Sequence, residues 1–238
     1  TGADDDVTAG ADQTGAVTED ATATTATGTI AGSDADDASS LAYTGDATGT
    51  YGAIAVVSGS GAWTYTLSNS DADTTALDAG DSVTDTFTMT VTDSASGETD
   101  TMAVTITITG ANDAPSAGSD GTGAVTEDAS TSTSTGSISA TDADDAAAFT
   151  YSGDATGTYG AIAVDSAGAW TYTLSNSDAD TTALDAGDSV TDTFTMTVSD
   201  GTASDTMDVV ITVTGADDDV TAGADQTGAV TEDATATT

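Results

Sequence analysis

Asp34-Ala35-Asp36 and Asp142-Ala143-Asp144 each set two carboxylates one residue apart, and Asn112-Asp113 puts an amide beside a third. The chemistry such groups do best is to bind a hard cation. Ca²⁺ takes roughly six to eight oxygens and tolerates irregular geometry, so Asp-x-Asp pairs, Asn side chains and linker carbonyls suit it. The whole chain points the same way. It holds 41 acidic residues among 238, with no Lys, Arg or His, for a formal charge of −41. No side chain can close a salt bridge, so every carboxylate is solvated, hydrogen-bonded, protonated or bound to a cation. Several carboxylates within ~5 Å of one another would repel strongly without a counter-ion.

The missing residues exclude as much as the acids suggest. Nucleic acid and anionic membrane surfaces are not partners, because both need Lys or Arg. With no His, Cys or Lys there is no imidazole acid–base pair, thiolate, Schiff base or disulfide. No apolar stretch is long enough for a membrane helix, so membrane insertion is not expected. Paired carboxylates also serve glycosidases, but here they recur along a repeating chain, which suits structure rather than a unique active site; no enzyme is expected. Adaptation to high salt would explain the acidity with no defined site. Asp46, Asp71, Asp100 and Asp154 are read as solvated or turn residues.

The elements that position these groups come in repeats. Val17-Thr18-Glu19-Asp20 recurs at Val125 and again at Val230, spacings of 108 and 105 residues. Trp63 to Val91, 29 residues, is identical to Trp170 to Val198, and residues 1–25 are identical to 214–238. The expected organisation is a linker over 1–14, repeats over 15–113 and 114–219, and the opening of a third over 220–238, within a longer array. Phe87 to Val91 and Met102 to Ile108 alternate apolar residues with mostly threonine, the period of half-buried strands. Ile54-Ala55-Val56 and Trp63 to Leu67 flank Ser58-Gly59-Ser60-Gly61 as a hairpin, and Thr27 to Ile30 and Leu41 to Tyr43 read as short strands. Asp73 is the expected N-cap of a helical turn. Seven or so strands in about 100 residues fit a β-sandwich, with Trp63, Tyr65, Leu67, Leu77, Phe87, Val91, Ile106 and their copies as its core.

In order along the chain, Val17-Thr18-Glu19-Asp20, Gly28-Thr29-Ile30, Ser33-Asp34-Ala35-Asp36-Asp37, Thr50-Tyr51-Gly52, Gly61 to Leu67, Leu77-Asp78-Ala79-Gly80-Asp81 and Ile108 to Pro115 resemble the VCBS repeat of large bacterial surface proteins. The resemblance covers essentially all of both repeats. It implies an all-β fold of tandem cadherin-like or immunoglobulin-like Greek-key sandwiches, strung together in secreted adhesins and biofilm proteins. It also implies where calcium would sit. One junction would gather Glu19 and Asp78 from the first repeat, Asn112 and Asp113 from the linker, and Asp142, Asp144 and Asp200 from the second. The next would start from Glu127, Asp185, Asp217 and Asp218, where Asp217-Asp218-Asp219-Val220 replaces Asn112-Asp113-Ala114-Pro115. At the amino end, Asp5 and Asp6 would meet Asp34, Asp36 and Asp93.

The function so implied is mechanical: an extracellular array that extends, stiffens and spaces, with neighbouring copies of the repeat as its partners and Ca²⁺ as its cofactor. Any surface glycan would be met through other parts of the parent protein. Two alternatives stay open: a self-assembling filament joined by strand donation around Val230 to Glu232, and a carbohydrate-binding adhesion module, which would need exposed aromatics near a calcium.

Overall fold

The computed structural model describes residues 5–35, 41–144, 148–218 and Gly223. The Thr/apolar alternation becomes strands wherever it is longest, because each β-branched threonine suits the solvated face while its neighbour is buried. The first half contains β1 (Thr8–Ala9), β2 (Gln13–Thr18), β3 (Thr25–Thr29), β4 (Gly32–Ser33), β5 (Leu41–Thr44), β6 (Ala47–Thr48), β7 (Gly52–Val56), β8 (Ala62–Leu67), helix α1 (Ala72–Thr75), β9 (Ser82–Asp93) and β10 (Thr99–Thr109). The second half repeats the series without the helix: β11 (Ser116–Ala117), β12 (Gly121–Thr126), β13 (Thr133–Ser137), β14 (Ala140–Thr141), β15 (Thr150–Ser152), β16 (Ala155–Thr156), β17 (Gly160–Val164), β18 (Ala169–Leu174), β19 (Ser189–Ser199) and β20 (Ser204–Thr214). The expected hairpin is β7–β8, and the two alternating runs are β9 and β10.

Each half is a sandwich of two four-stranded sheets. In the first half these are β2-β10-β9-β5 and β3-β8-β7-β6; in the second, β12-β20-β19-β15 and β13-β18-β17-β16. Trp63, Tyr65, Leu67, Leu77, Phe87, Met89, Val104, Ile106 and Ile108 fill the space between the first pair of sheets, and the corresponding second-half residues do the same. Tyr65 and Phe87 meet with ring centroids 5.9 Å apart and planes tilted by 51°, a favoured arrangement for aromatic pairs. The expected core is therefore buried throughout.

One pairing decides where the chemistry goes. The first strand, β2, lies parallel to the last, β10, with Val17 opposite Ile108 and Thr18 opposite Thr109. The Glu19 N–H then bonds the Thr109 carbonyl at 3.0 Å. A parallel pair makes both strands finish at the same end of the sandwich, so the residue after β2 sits where the chain leaves β10 for the next domain. β12 and β20 repeat this, with Val125 opposite Val213 and the Glu127 N–H on the Thr214 carbonyl at 2.9 Å.

Two local expectations change. Helix α1 begins at Ala72, so Asp71 rather than Asp73 caps it; the Asp71 carboxylate accepts the Asp73 N–H at 3.1 Å. Asp73 falls instead in the first turn, where its charge faces the positive end of the peptide dipoles. The acids read as solvated turn residues are backbone acceptors: Asp46 takes the Val56 N–H at 2.6 Å, Asp154 the Val164 N–H at 2.7 Å, and Asp100 the Ala9 N–H at 2.8 Å.

Candidate metal centre

Glu19 follows β2 and is buried to 1 % exposure. Its carboxylate, that of Asp20 and that of Asp113 place one oxygen each within 4.8 Å of one another. At that distance two charges repel by roughly 3 to 4 kcal/mol in an effective dielectric of about 20. Neither Glu19 oxygen has a hydrogen bond of normal geometry; nor do Asp113 Oδ2, Asp142 Oδ2 or Asp144 Oδ1, all buried. Leaving a buried charged oxygen without a donor costs several kcal/mol, and this sequence has no cationic side chain to offer.

The second sandwich reaches into the same place. The Asp113 N–H bonds Asp144 Oδ2 at 3.1 Å, and Asn112 Nδ2 bonds Asp200 Oδ2 at 3.0 Å. Asp142 Oδ1 accepts the Asp144 N–H at 3.2 Å, which folds the Asp-Ala-Asp segment over on itself. Asp200 is held from its own side by the Thr202 and Ala203 N–H groups at 2.6 and 2.7 Å. The loop carrying Leu77 and Asp78 packs against the exit of β10 at Gly110, where a Cβ would lie 2.4 Å from the Asp78 carbonyl. Only a glycine permits that approach.

The electrostatics connect the whole set. Burial pushes the Glu19 carboxyl up to about 7, helped by the charges of Asp113, Asp20 and Asp144, while the Ala111 N–H works in the opposite direction. The Asp113 carboxyl is raised by burial first, then by Asp20, Asp144 and Asp142. Asp144 is raised by its burial and by Asp142, Asp78 and Asp200, partly offset by the Asp113 N–H. Asp200 moves down instead, because the Ala203 N–H, the Asn112 amide and the Thr202 N–H all favour its charged form. The structure thus brings together Glu19, Asp78, Asn112, Asp113, Asp142, Asp144 and Asp200. It adds Asp20, which the sequence reading left out. Apart from the Asn112 amide the set is carboxylate, and several of its buried oxygens, on Glu19, Asp113, Asp142 and Asp144, have no hydrogen bond of normal geometry, so it fits a hard cation of the calcium type.

At the end of the second sandwich, Glu127, Asp128 and Asp218 also converge within 4.8 Å. Glu127 is 1 % exposed, its Oε1 has no donor, and Oε2 accepts the Ala216 N–H at 3.3 Å. Gly215 approaches the Asp185 carbonyl as Gly110 approaches that of Asp78, and Asp217 is exposed. At the amino end Asp36 lies outside the described residues. Asp5 and Asp6 are exposed, Asp34 is buried, and Asp93 is occupied by the Ala95 and Ser96 N–H groups and the Ser96 hydroxyl. Among the described residues these four do not form a carboxylate cluster like the other two.

A second acidic device lies in the core, unforeseen from the sequence. Asp85, 4 % exposed, accepts the Thr50 N–H at 2.9 Å, the Tyr51 N–H at 3.1 Å and the Tyr65 hydroxyl at 2.9 Å. Asp192 does the same with Thr158, Tyr159, Gly160 and Tyr172. Its signal was parity: Asp85 shares the inward phase of Val83, Phe87, Met89 and Val91 in β9. Burial and the neighbouring carboxylate raise the Tyr65 and Tyr172 hydroxyls well above the ordinary phenol range. With its donors saturated, this is a structural pin.

The family model described as "bacterial cadherin-like domain" matches residues 4–110 and 112–215. Among solved structures, extracellular domains 1–3 of mouse clustered protocadherin gamma C3 are similar over 90% of this chain and 69% of that one, at 18% identity and a TM-score of 0.53. Domains 22–24 of mouse cadherin-23 match 88% of this chain and 67% of that one, at 20% identity and 0.54. A Drosophila N-cadherin fragment, domains 1–4, matches 88% of this chain at 16% identity and 0.54; the chain spans 49% of that fragment. No curated protein sequence matches. At these identities the structural likeness speaks for the fold alone: tandem cadherin-like sandwiches. No helix among the described residues is long and apolar enough to cross a membrane.

Proposed function

The chain belongs to the family of bacterial cadherin-like domains, and from that premise we propose that it is part of an extracellular structural array whose interdomain junctions are stiffened by calcium. The unit of the array is one sandwich with its linker, residues 15–113 and 114–219, with a third opening at 220. The observation that carries the reading is the set of buried oxygens without a hydrogen bond of normal geometry on Glu19, Asp113, Asp142 and Asp144, contributed by two sandwiches and the linker between them. In a chain without one basic side chain, a bound cation is what relieves them.

At the first junction Glu19, Asp78, Asn112, Asp113, Asp142, Asp144 and Asp200 would hold the ion. Asp5, Asp6, Asp34, Asp36 and Asp93 at the amino end, and Glu127, Asp185, Asp217 and Asp218 at the far end, would serve the neighbouring junctions. When bound, the cation supplies charge neutralisation and a cross-link. The protein supplies the geometry. β2 and β10 deliver Glu19 and Asp113 to the exit of the first sandwich, and Asn112 orients Asp200 from the second. The two sandwiches then share ligands, and bending the junction would break cation–oxygen contacts. The partners of such an array are its own neighbouring repeats, and the work is spacing and load bearing rather than catalysis.

Calcium bound only by the folded chain stabilises it by mass action, about 2.7 kcal/mol at a hundredfold excess over Kd. Thermal melting at low salt tests this. Chelation should lower the melting temperature, and calcium should restore it where the same concentration of sodium does not. Identical melting in calcium and in chelator would refute the reading.

A further inference from the structure

Asp20 is the one member of the converging triad that no strand delivers. In an extended chain it would point away from Glu19, since consecutive side chains alternate. Instead its backbone turns to φ 52°, and Asp128 repeats this at φ 53°. They are the only non-glycine residues with positive φ among those described. Once turned, Asp20 is bonded twice by a residue 49 positions away. The Asn69 amide oxygen accepts the Asp20 N–H at 2.9 Å, and the Asn69 NH₂ donates to Asp20 Oδ1 at 2.6 Å. Asn69 lies between β8 and α1, on the segment that continues to Leu77 and Asp78. In the second sandwich the matching Asn176 has a buried amide oxygen with no hydrogen-bond partner.

Resting on the calcium reading of the junction, we propose that Asp20 is a cation ligand and that Asn69 is its positioning residue, a two-bond clamp that fixes the Asp20 carboxylate beside the buried Glu19. Three features carry this. The Asp20 carboxylate lies within 4.8 Å of oxygens of Glu19 and Asp113. Glu19 is 1 % exposed and neither of its oxygens has a hydrogen bond of normal geometry, so a group with positive charge is wanted at that spot. The clamp occupies Asp20 Oδ1 and the Asp20 N–H, which fixes the carboxylate's direction. The clamp also ties the ligand to the loop that bears Asp78, so one amide side chain fixes two walls of the site. At the second sandwich Asp128 and Asn176 hold the same places with the clamp unformed.

Calcium chloride titrated calorimetrically into the chelator-treated 238-residue chain at low salt tests the assignment, with Glu127→Ala used to resolve the two junctions. Asp20→Asn keeps the tolerance for positive φ and removes the charge; it should weaken first-junction binding ten- to a hundredfold, as Asp20→Gly should. Loss of a partner that orients a ligand costs about tenfold or more, so Asn69→Ala should weaken binding about tenfold. In the Asp20→Gly background, Asn69→Ala should then have a much smaller effect, because the carboxylate it orients is gone and only its bond to the backbone N–H of residue 20 is left. Melting in chelator confirms that each variant folds; if Asp20→Gly does not, Asp20→Asn serves for the cycle. Wild-type affinity in both Asp20 variants overturns the proposal, as does an equal effect of Asn69→Ala in both backgrounds, which would mark a merely structural role. A wild-type chain that takes up no calcium overturns the underlying reading and the proposal together.

Discussion

The exits of β10 and β20 carry nearly the same residues, yet they are furnished differently. Both present a buried Glu, an Asp in the left-handed conformation and an Asp from the departing linker, converging within 4.8 Å. At the first exit Asp142, Asp144 and Asp200 arrive from the next sandwich, Asn112 bridges to Asp200, and Asn69 clamps Asp20. At the second, the described residues supply the triad and the Ala216 N–H on Glu127. On the proposed reading each sandwich would supply half a site, from the residues after its parallel-paired strand and from its own exit, and the next sandwich the other half, so that calcium binding would depend on the relative placement of two domains. The cores differ as well, most plainly at the indole. Trp63 donates its indole N–H to Gln13 Oε1 at 2.9 Å, whereas Gly121 stands in the Gln13 position and leaves the Trp170 N–H buried without a partner.

The core pins are built alike in the two sandwiches, and they give the largest expected effect. Asp85→Ala and Asp192→Ala should each cost about 3 to 5 kcal/mol, because backbone and tyrosine donors are left buried without an acceptor. The two losses, read by chemical denaturation, should agree. Unequal losses would mean that the junction difference has its origin in the cores.

Next in size is the response of the metal-free chain to pH. Glu19 in the folded state keeps its proton up to about pH 7, against 4.5 for the ordinary group. Between those values the folded state binds more protons than the unfolded, so stability should fall as pH rises, by up to about 3 kcal/mol, and level off above pH 7. Asp100, Asp200 and Asp205 act oppositely: their carboxyls are lowered by backbone and amide hydrogen bonds, so their contribution disappears as pH drops below 3.8. Saturating calcium should abolish the decline toward pH 7. A chelated chain that gains stability over this interval would break the account of Glu19.

Sharpening the contrast between exits, Glu19→Ala should weaken first-junction calcium binding by at least about 100-fold, some 2.7 kcal/mol. The paired change Asp142→Asn with Asp144→Asn should act in the same direction. Changing Asp71 and Asp73 to Asn should leave affinity alone, since those residues serve the α1 cap. Equal effects of the two pairs in calorimetry would mean that the ligands have been misassigned. The smallest effect concerns the indole. Gly121→Gln should supply the missing acceptor and stabilise the second sandwich by about 1 kcal/mol, provided Val209, 3.1 Å from the new Cβ, can shift slightly. A loss of stability would mean that it cannot.

Much of this was legible in the residues because a sheet reports its own period. Phe87 to Val91 and Met102 to Ile108 announced β9 and β10, and Trp63 to Leu67 announced the inner face of β8. Asp85 was legible too, through its inward phase, but an acid within a Thr-rich run reads as surface until its acceptor role is seen. Asp20 was not, because alternation aims it away from Glu19 and only the left-handed turn brings it back. Its clamp by Asn69 was not legible either, because no local rule links residues 49 positions apart. The parallel pairing of β2 with β10, which collects the site at one end, is likewise a property of topology rather than of either strand.

Solution scattering at low salt, with calcium and then with chelator, tests the central claim most directly. The two sandwiches share ligands only while the first junction is held, so the account expects a longer, narrower distance distribution with calcium and a shorter, broader one after chelation. The change should be absent in the Asp142→Asn, Asp144→Asn variant. Superimposable profiles of the wild-type chain under both conditions would contradict it.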